Sequence, residues 1–316
     1  MHGTFTMEGG KAARITVPDS QYQLSTQVLD GSITDGTPQN YTKFTVTPQT
    51  LPPAKKWTID EQGKLAEVIG GSNSTAKWTA LKNAVESATG GNVFYIEGTY
   101  TMPNGTSTID PPANCTIKGT NNAVLDGNSN GTMINIGSGG SQTIALENLT
   151  IQNGKNDAYA LNAFQGAQFH LKNVTVKDAK QIIASGSGDV TFENVKAFGT
   201  NSEIKLGGGG GGSGSGSIEY SYLNIKGNTE IKGTVKLAFP YSMHSYSGAI
   251  KICDTKSYSL KLDFGSDYNT AKDQQVVFLD PSVTGFTLAE AVQKITVKPN
   301  GADTYYIDNS GCLKRH

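Results

Sequence analysis

Glu147, His170 and Glu193 are the residues of this chain best spaced for acid–base chemistry. Each lies in a short segment of one pattern: IALENLTI (144–151), FHLKNVTV (169–176) and VTFENVKA (190–197). Two carboxylic acids with a histidine between them would suffice for general acid–base cleavage of a glycosidic bond. If the segments stack as adjacent strands, the two acids stand two strands apart, about 10 Å. That is slightly beyond the roughly 6.5–9.5 Å of an inverting glycosidase pair. The same stacking places Lys172 between the acids. An acid–lysine–acid ladder on a solvated strand face accounts for these residues without catalysis, and it is the expectation here.

A second candidate is DGNSNG (126–131). Asp126, Asn128 and Asn130 fall at positions 1, 3 and 5 of a calcium loop, with Gly131 at position 6. Position 12 would be Gly137 instead of the bidentate Glu such a loop wants. The segment therefore reads as a polar turn, and no cofactor is expected, with calcium the one weak candidate. The run GGGGGGSGSGS (207–217) lacks the Lys-Ser/Thr ending of a phosphate loop and reads as an expanded surface loop. Cys115, Cys253 and Cys312 have no CxxC spacing, so neither a zinc site nor a disulfide framework is implied. Cys115 reads as a small core residue. Tyrosines crowd the C-terminal part, with Tyr220 and Tyr222 among those that suit sugar or protein contact.

The elements that hold these residues come from a repeat. Each segment reads apolar-x-apolar-x-Asn-apolar-x-apolar, and a fourth, IEYSYLNI (218–225), follows with Tyr222 in the Asn place. Ile144 and Leu146 share one parity, whereas Leu149 and Ile151 have the other. Side chains alternate across a strand, so one flat strand cannot put all four on one side. A sharp bend at Asn148 can, and Asn tolerates the left-handed conformation such a bend requires. A further strand precedes each corner, at Ile134-x-Ile136, Leu161-x-Ala163, Ile182-x-Ala184 and Ile204-x-Leu206. Three strands per turn of about 22 residues, stacked in register, make a three-sided parallel β-helix. Asn114, Asn148, Asn173 and Asn194 are expected to form a buried ladder of amides along one corner. The segment 75–88 reads as an amphipathic capping helix, with Ser74 or Thr75 as N-cap and Trp78, Leu81, Val85 and Ala88 on one face.

A longer repeat flanks the coils. WTIDEQGKL (57–65) matches YYIDNSGCL (305–313), and YTKFTVTP near 41–48 matches AVQKITVKP at 291–299. Residues 1–67 thus read as the β-rich tail of a preceding unit, 68–237 as the β-helix, and 238–316 as a tail homologous to 15–65. Thr287 and Glu290 form a capping-box pattern opening a short helix to about Ile295. Charged residues are only 17% of the chain, against roughly 25% in an average globular protein. With a net charge of −1, nothing draws the chain to nucleic acid. No apolar run approaches the roughly 18 residues of a membrane helix, so no membrane insertion is expected. The opening MHGTFTMEGG does not read as a signal peptide.

The capping helix is followed by "I-x-G-T-Y" (Ile96 to Tyr100), "T-I-K-G" (Thr116 to Gly119) and "L-x-N-L-T-I-x-N-G" (Leu146 to Gly154). On these motifs residues 68–237 resemble the pectate-lyase-type right-handed parallel β-helix. More narrowly they are similar to bacterial surface repeat proteins related to polymorphic outer-membrane proteins and adhesins. The resemblance implies an all-β, right-handed, three-sided solenoid and an extracellular place on a bacterial cell surface. Lyases of this fold use Arg or Lys bases with cation-bound acidic clusters, yet the only arginines here are Arg14 and Arg315, both outside the coils. The Asn-Thr-Asp, Asp-Asp and Gly-His-Gly signatures of the related hydrolases are absent. The expected function is a non-catalytic, adhesin-type module that presents an elongated surface to host proteins, matrix proteins or glycans, alongside neighbouring repeat units. The alternatives are a polysaccharide lyase or glycoside hydrolase, and a purely structural spacer in a tandem array.

Overall fold

A computed structural model describes residues 56–316 except 61–62, 64, 106, 138–141, 165, 198, 200–201, 209–218, 240–245 and 255–256, together with the backbone of three short strands before residue 45. The expanded Gly/Ser loop and most of the first tail lie outside the described residues. Elsewhere the chain winds as a parallel β-helix. One wall stacks Asn92–Ile96, Cys115–Gly119, Thr143–Glu147, Gln168–Lys172, Val190–Glu193, Glu219–Lys226, Tyr246–Ile252 and Val277–Leu279, each parallel to the next. A second wall runs from Thr99–Thr101 through Thr150–Gln152 and Thr175–Lys177 to Thr229–Ile231. A third runs from Ile134–Ile136 through Leu161–Ala163 and Gln181–Ser185 to Thr234–Leu237. Strand Tyr258–Asp263 pairs with both of these walls and joins them at the C-terminal end.

The register explains the core. Ile117, Leu146, Leu171, Phe192, Ile225 and Ile252 occupy successive layers of one column, and each is fully buried. Parallel strands in register place like residues over like, so one inward choice per coil extends the core by about 4.8 Å. The parity slip is resolved at the corners. Asn148, Asn173 and Asn194 have φ of 55°, 53° and 55°, a left-handed kink that turns Leu149, Val174 and Val195 inward beside Leu146, Leu171 and Phe192. Asn173 Nδ2 donates to Asn148 Oδ1 at 2.9 Å, and Asn194 Nδ2 donates to Asn173 Oδ1 at 3.1 Å.

Four details differ from the expectation. The ladder is exposed, not buried, because a corner that turns both flanking residues inward leaves its own side chain outside. Asn114 is not part of it: Lys118 pairs with Glu147, so Gly119 holds the layer beneath Asn148, and Asn114 instead accepts the Thr143 N–H at 2.8 Å. A Cβ on Gly119 would lie 2.2 Å from the Asn148 carbonyl oxygen, so a side chain there cannot fit as the backbone stands. In the fourth repeat the corner is Gly227, not Tyr222, since Glu193 pairs with Lys226. Gly227 has φ of 57°, and Asn194 Oδ1 accepts the next N–H, from Asn228, at 2.8 Å. In the third wall, a register shift between Gln181 and Ile183 buries both Ile182 and Ile183, and Ala184 is not an inward residue.

The ends are closed by local structure. Helix Ser74–Glu86 buries Trp78, Leu81 and Val85 completely, and Trp78 Nε1 donates to the Ser107 carbonyl at 2.9 Å. Its N-cap is Asn73, which accepts the Ala76 N–H, in place of Ser74 or Thr75. Past residue 237 the parallel ladders continue: Ile225 pairs with Ile252, Ile252 with Leu279, and Leu262 with Val297. Residues 246–297 therefore add coils to the stack. The capping box of Thr287 and Glu290 forms, but its helix is only Leu288–Val292, and Ile295 already starts a strand. Among the described residues no helix is long and apolar enough to cross a membrane.

Asn173 combines the two demands of a corner, the left-handed φ and the amide ladder. Asn173→Ala violates both, and should lower stability by about 2–3 kcal/mol from a left-handed penalty of ~1–2 kcal/mol plus partly exposed hydrogen bonds. Asn173→Gly keeps the backbone and should lose only about 1 kcal/mol. Chemical denaturation of the three proteins checks this; an alanine variant no weaker than the glycine one would show that φ is not the constraint.

Candidate functional site

The outer face of the first wall carries every candidate acid and base. Alternate positions along each strand point away from the core, so Lys118, Glu147, Lys172, Glu193 and Lys226 form one outward column in register. The charges pair along it. Lys118 Nζ lies 3.0 Å from Glu147 Oε2, and Lys172 Nζ lies 2.9 Å from Glu193 Oε1. His170, in the neighbouring column, brings Nε2 to 3.4 Å from Glu193 Oε2. Glu147 and Glu193 stand two layers apart, about 10 Å, with Lys172 in the layer between.

Charge balance sets what these groups can do. Burial pushes the Glu193 carboxyl up, but the hydrogen bond and charge of Lys172, with His170 alongside, outweigh it and hold the group below its ordinary range. A general acid needs the opposite shift, upward toward neutral pH. At neutral pH Glu193 has no proton to give, and its oxygens are occupied by neighbours. The trio is thus part of an ion-pair ladder in its geometry.

The DGNSNG turn is likewise occupied. Asp126 Oδ1 accepts the Asn128 N–H at 2.8 Å, Oδ2 accepts Gln152 Nε2 at 2.9 Å, and Asn153 Nδ2 donates to both oxygens at 3.1 Å. Asn128 and Asn130 turn their amide nitrogens toward the Met102 carbonyl at 3.3 and 3.1 Å. A calcium ion needs six to eight oxygens facing one point. Here the carboxylate faces donors and the amides donate, which is the bonding of a corner that ties three coils together.

A cluster not assembled from sequence lies at the other end of the same face. Tyr220 and Tyr222 come from strand Glu219–Lys226, Lys251 from Tyr246–Ile252, and Phe278 from Val277–Leu279. The Phe278 ring meets Tyr220 edge-on at 5.1 Å and Tyr222 edge-on at 5.5 Å. Lys251 Nζ sits 4.0 Å from the centre of the Tyr222 ring, a cation–π distance. Lys251 and Phe278 are direct cross-strand partners, and Ala249 beside Tyr222 leaves room for the ring to lean toward the lysine. Asp189 anchors the strand, accepting the Tyr222 N–H at 2.9 Å. Burial holds both tyrosine hydroxyls above their usual range, so they stay protonated at neutral pH. All four side chains remain partly accessible. The tyrosines were visible in the sequence; their partners were not, because Lys251 and Phe278 stand on later coils that the asparagine-marked pattern does not reach.

The cysteines are free. Cys115 is buried in the column under Ile144, and burial pushes its thiol up to about 11, the property of an inert core residue. Comparison with protein-family models, curated proteins and solved structures finds no match for this chain.

The Lys172–Glu193 pair gives a pH test. A lowered carboxyl pKa stabilises the fold above the unfolded value, near 4.3, and loses that contribution as pH falls through the folded value. Glu193→Gln should therefore cost up to about 1 kcal/mol at pH 7 and almost nothing near pH 3. Urea midpoints of both proteins across this range measure it. A gap that widens on acidification would instead mark Glu193 as a group held protonated.

Proposed function

We propose that this protein is a non-catalytic, extracellular module of adhesin type, which holds a long rigid face toward host proteins, matrix proteins or glycans. The observation that carries this reading is the outward cluster of Tyr220, Tyr222, Lys251 and Phe278. Large aromatic rings set around a cation on a strand face give contact area at low conformational cost, and such groups dominate binding energy where they are desolvated. The middle of the face carries the Lys118–Glu147 and Lys172–Glu193 ion pairs, which contribute orientation more than affinity.

A place on a bacterial cell surface, in series with neighbouring repeat units, follows from the sequence resemblance. The same resemblance supplies the enzymatic alternative, a polysaccharide lyase or glycoside hydrolase. The lowered Glu193 carboxyl argues against it on this face. A spacer would need none of the outward aromatic rings.

A panel of immobilised glycans and matrix proteins, read for both retention and turnover, separates the three. The expected result is retention without release of reducing or unsaturated ends. Tyr222→Ala should weaken that retention by roughly tenfold, as expected for one aromatic contact of about 1–2 kcal/mol, while Glu193→Gln leaves it unchanged. Turnover abolished by Glu193→Gln would replace the proposal with an enzyme, and absence of both retention and turnover would leave a spacer.

A further inference from the structure

Two hairpins of one pattern lie at opposite ends of the stack. The first joins Lys56–Ile59 to Leu65–Val68, and the second joins Tyr305–Ile307 to Leu313–Arg315. Their positions correspond at a constant offset: 307 − 59, 308 − 60, 311 − 63 and 313 − 65 all equal 248. The correspondence extends to atoms. Ile59 pairs with Leu65 and Ile307 with Leu313. The Gly63 N–H donates to the Asp60 carbonyl at 3.0 Å, and the Gly311 N–H to the Asp308 carbonyl at 2.9 Å. The two glycines have φ of 78° and 80°.

What differs is the neighbour each hairpin touches. The first opens the coil stack: Val68 pairs in parallel with Tyr95, the Ile69 N–H donates to the Tyr95 carbonyl at 2.8 Å, and Lys56 Nζ bonds Glu97 at 3.1 Å. The second closes the stack. The Gly311 carbonyl accepts from Val276 and Val277 at 2.9 and 3.1 Å, and the Asp273 N–H donates to Leu313 at 2.8 Å. A Cβ at Gly311 would lie 2.1 Å from the Val277 carbonyl oxygen, whereas at Gly63 nothing among the described residues comes within 4 Å. The same hairpin is therefore seen once seated on the end of a stack and once templating the start of one. Both copies use the outer edge of their second strand, at different points: Leu313, next to the turn, exchanges hydrogen bonds with Asp273 and Gln274, whereas Val68, at the strand's far end, meets Tyr95.

We infer that the hairpin is a joint with two contact points along one edge, the turn end of its second strand seated on the stack behind it and the far end, near 314–316 in the second hairpin, receiving the first coil of another unit of this kind. By the offset, His316 stands where Val68 stands (316 − 68 = 248), and its N–H already pairs back to Thr304 as the first hairpin pairs Val68 with Lys56. The occupant is a second copy of the strand Asn92–Ile96 with its helix Ser74–Glu86. Successive units then form one rigid rod, each adding eight layers of the first wall plus a hairpin, on the order of 40–50 Å. The inference does not depend on what the outer face binds.

The test is a chain of residues 1–316 followed directly by a second copy of 69–316, compared with the same chain carrying a ten-residue Gly/Ser spacer after His316. X-ray scattering should give the direct chain a maximum dimension longer by about 40–50 Å than the single chain, with an unchanged cross-section. The spaced chain should give a broad distance distribution. Hydrogen exchange provides a second readout: the amide of the second copy's Ile69, whose counterpart donates to the Tyr95 carbonyl, and the amides of the second copy's first strand should exchange at least roughly tenfold more slowly in the direct chain. Equal scattering from the two chains, a thicker cross-section in the direct chain, or equal exchange would overturn the joint.

Discussion

A parallel coil stack exists only if every coil returns to register with the coil below, because each wall's hydrogen bonds depend on that coil's position. The left-handed residue at the first corner is where this chain meets that demand. Asn148, Asn173, Asn194 and Gly227 share φ near 55°. The amide chain along them carries the register from layer to layer outside the core, while Leu146, Leu171 and Phe192 carry it inside. Neither column is sufficient alone. Apolar packing is tolerant of sliding by one residue, and a polar ladder on the surface contributes little energy against water. Together they leave one alignment.

This division also explains what could be read from the sequence. The parity slip between Leu146 and Leu149 is a local feature, so the corner and the inward columns were legible. Asn114 shows the limit. It stands one residue before an inward Cys115, and the layer below Asn148 is taken by Gly119, which leaves room for the Asn148 backbone. Glycine satisfies a left-handed corner as well as asparagine, so Gly227 was hidden by its own suitability and Tyr222 took its place in the pattern. Beyond residue 237 no asparagine marks a corner, and the coils at 246–297 were invisible to a rule that looked for one. The amphipathic helix was legible from its period, but its N-cap was read one or two residues late, since Asn73, Ser74 and Thr75 are all competent caps.

The candidate sites followed the same logic in a harsher form. Spacing along the chain brought Glu147, His170 and Glu193 to one face, and the face holds them. What spacing could not supply was charge context. Lys118 and Lys172 fall in the same outward column, and a carboxylate with an ammonium at 2.9–3.0 Å is stabilised in its ionised form. In a stacked solenoid this outcome is general. An outward residue meets its like-numbered neighbours above and below at about 4.8 Å, so alternating charge is the low-energy arrangement, and an unpaired acid must be protected by something off the wall.

The interior of the coil is fixed by layer-to-layer repetition, whereas the outward positions are constrained only by their neighbours' charge and size. Most of the first wall obeys that weak constraint with small or paired polar residues. At its N-terminal end Val93 and Tyr95 stand outward, and towards its C-terminal end Tyr220, Tyr222 and Phe278 stand outward around Lys251. Tyr220 packs against the core and donates its hydroxyl to the Gln275 carbonyl at 3.2 Å, while Tyr222 and Phe278 are half-buried and leave apolar ring surface in contact with water, which carries a hydration cost. A local rule broken without a packing reason is where function concentrates in otherwise consistent sequences. On that ground the C-terminal half of the wall, where the rings gather around Lys251, and not the ion-pair ladder at its centre, offers an outside partner apolar contact area.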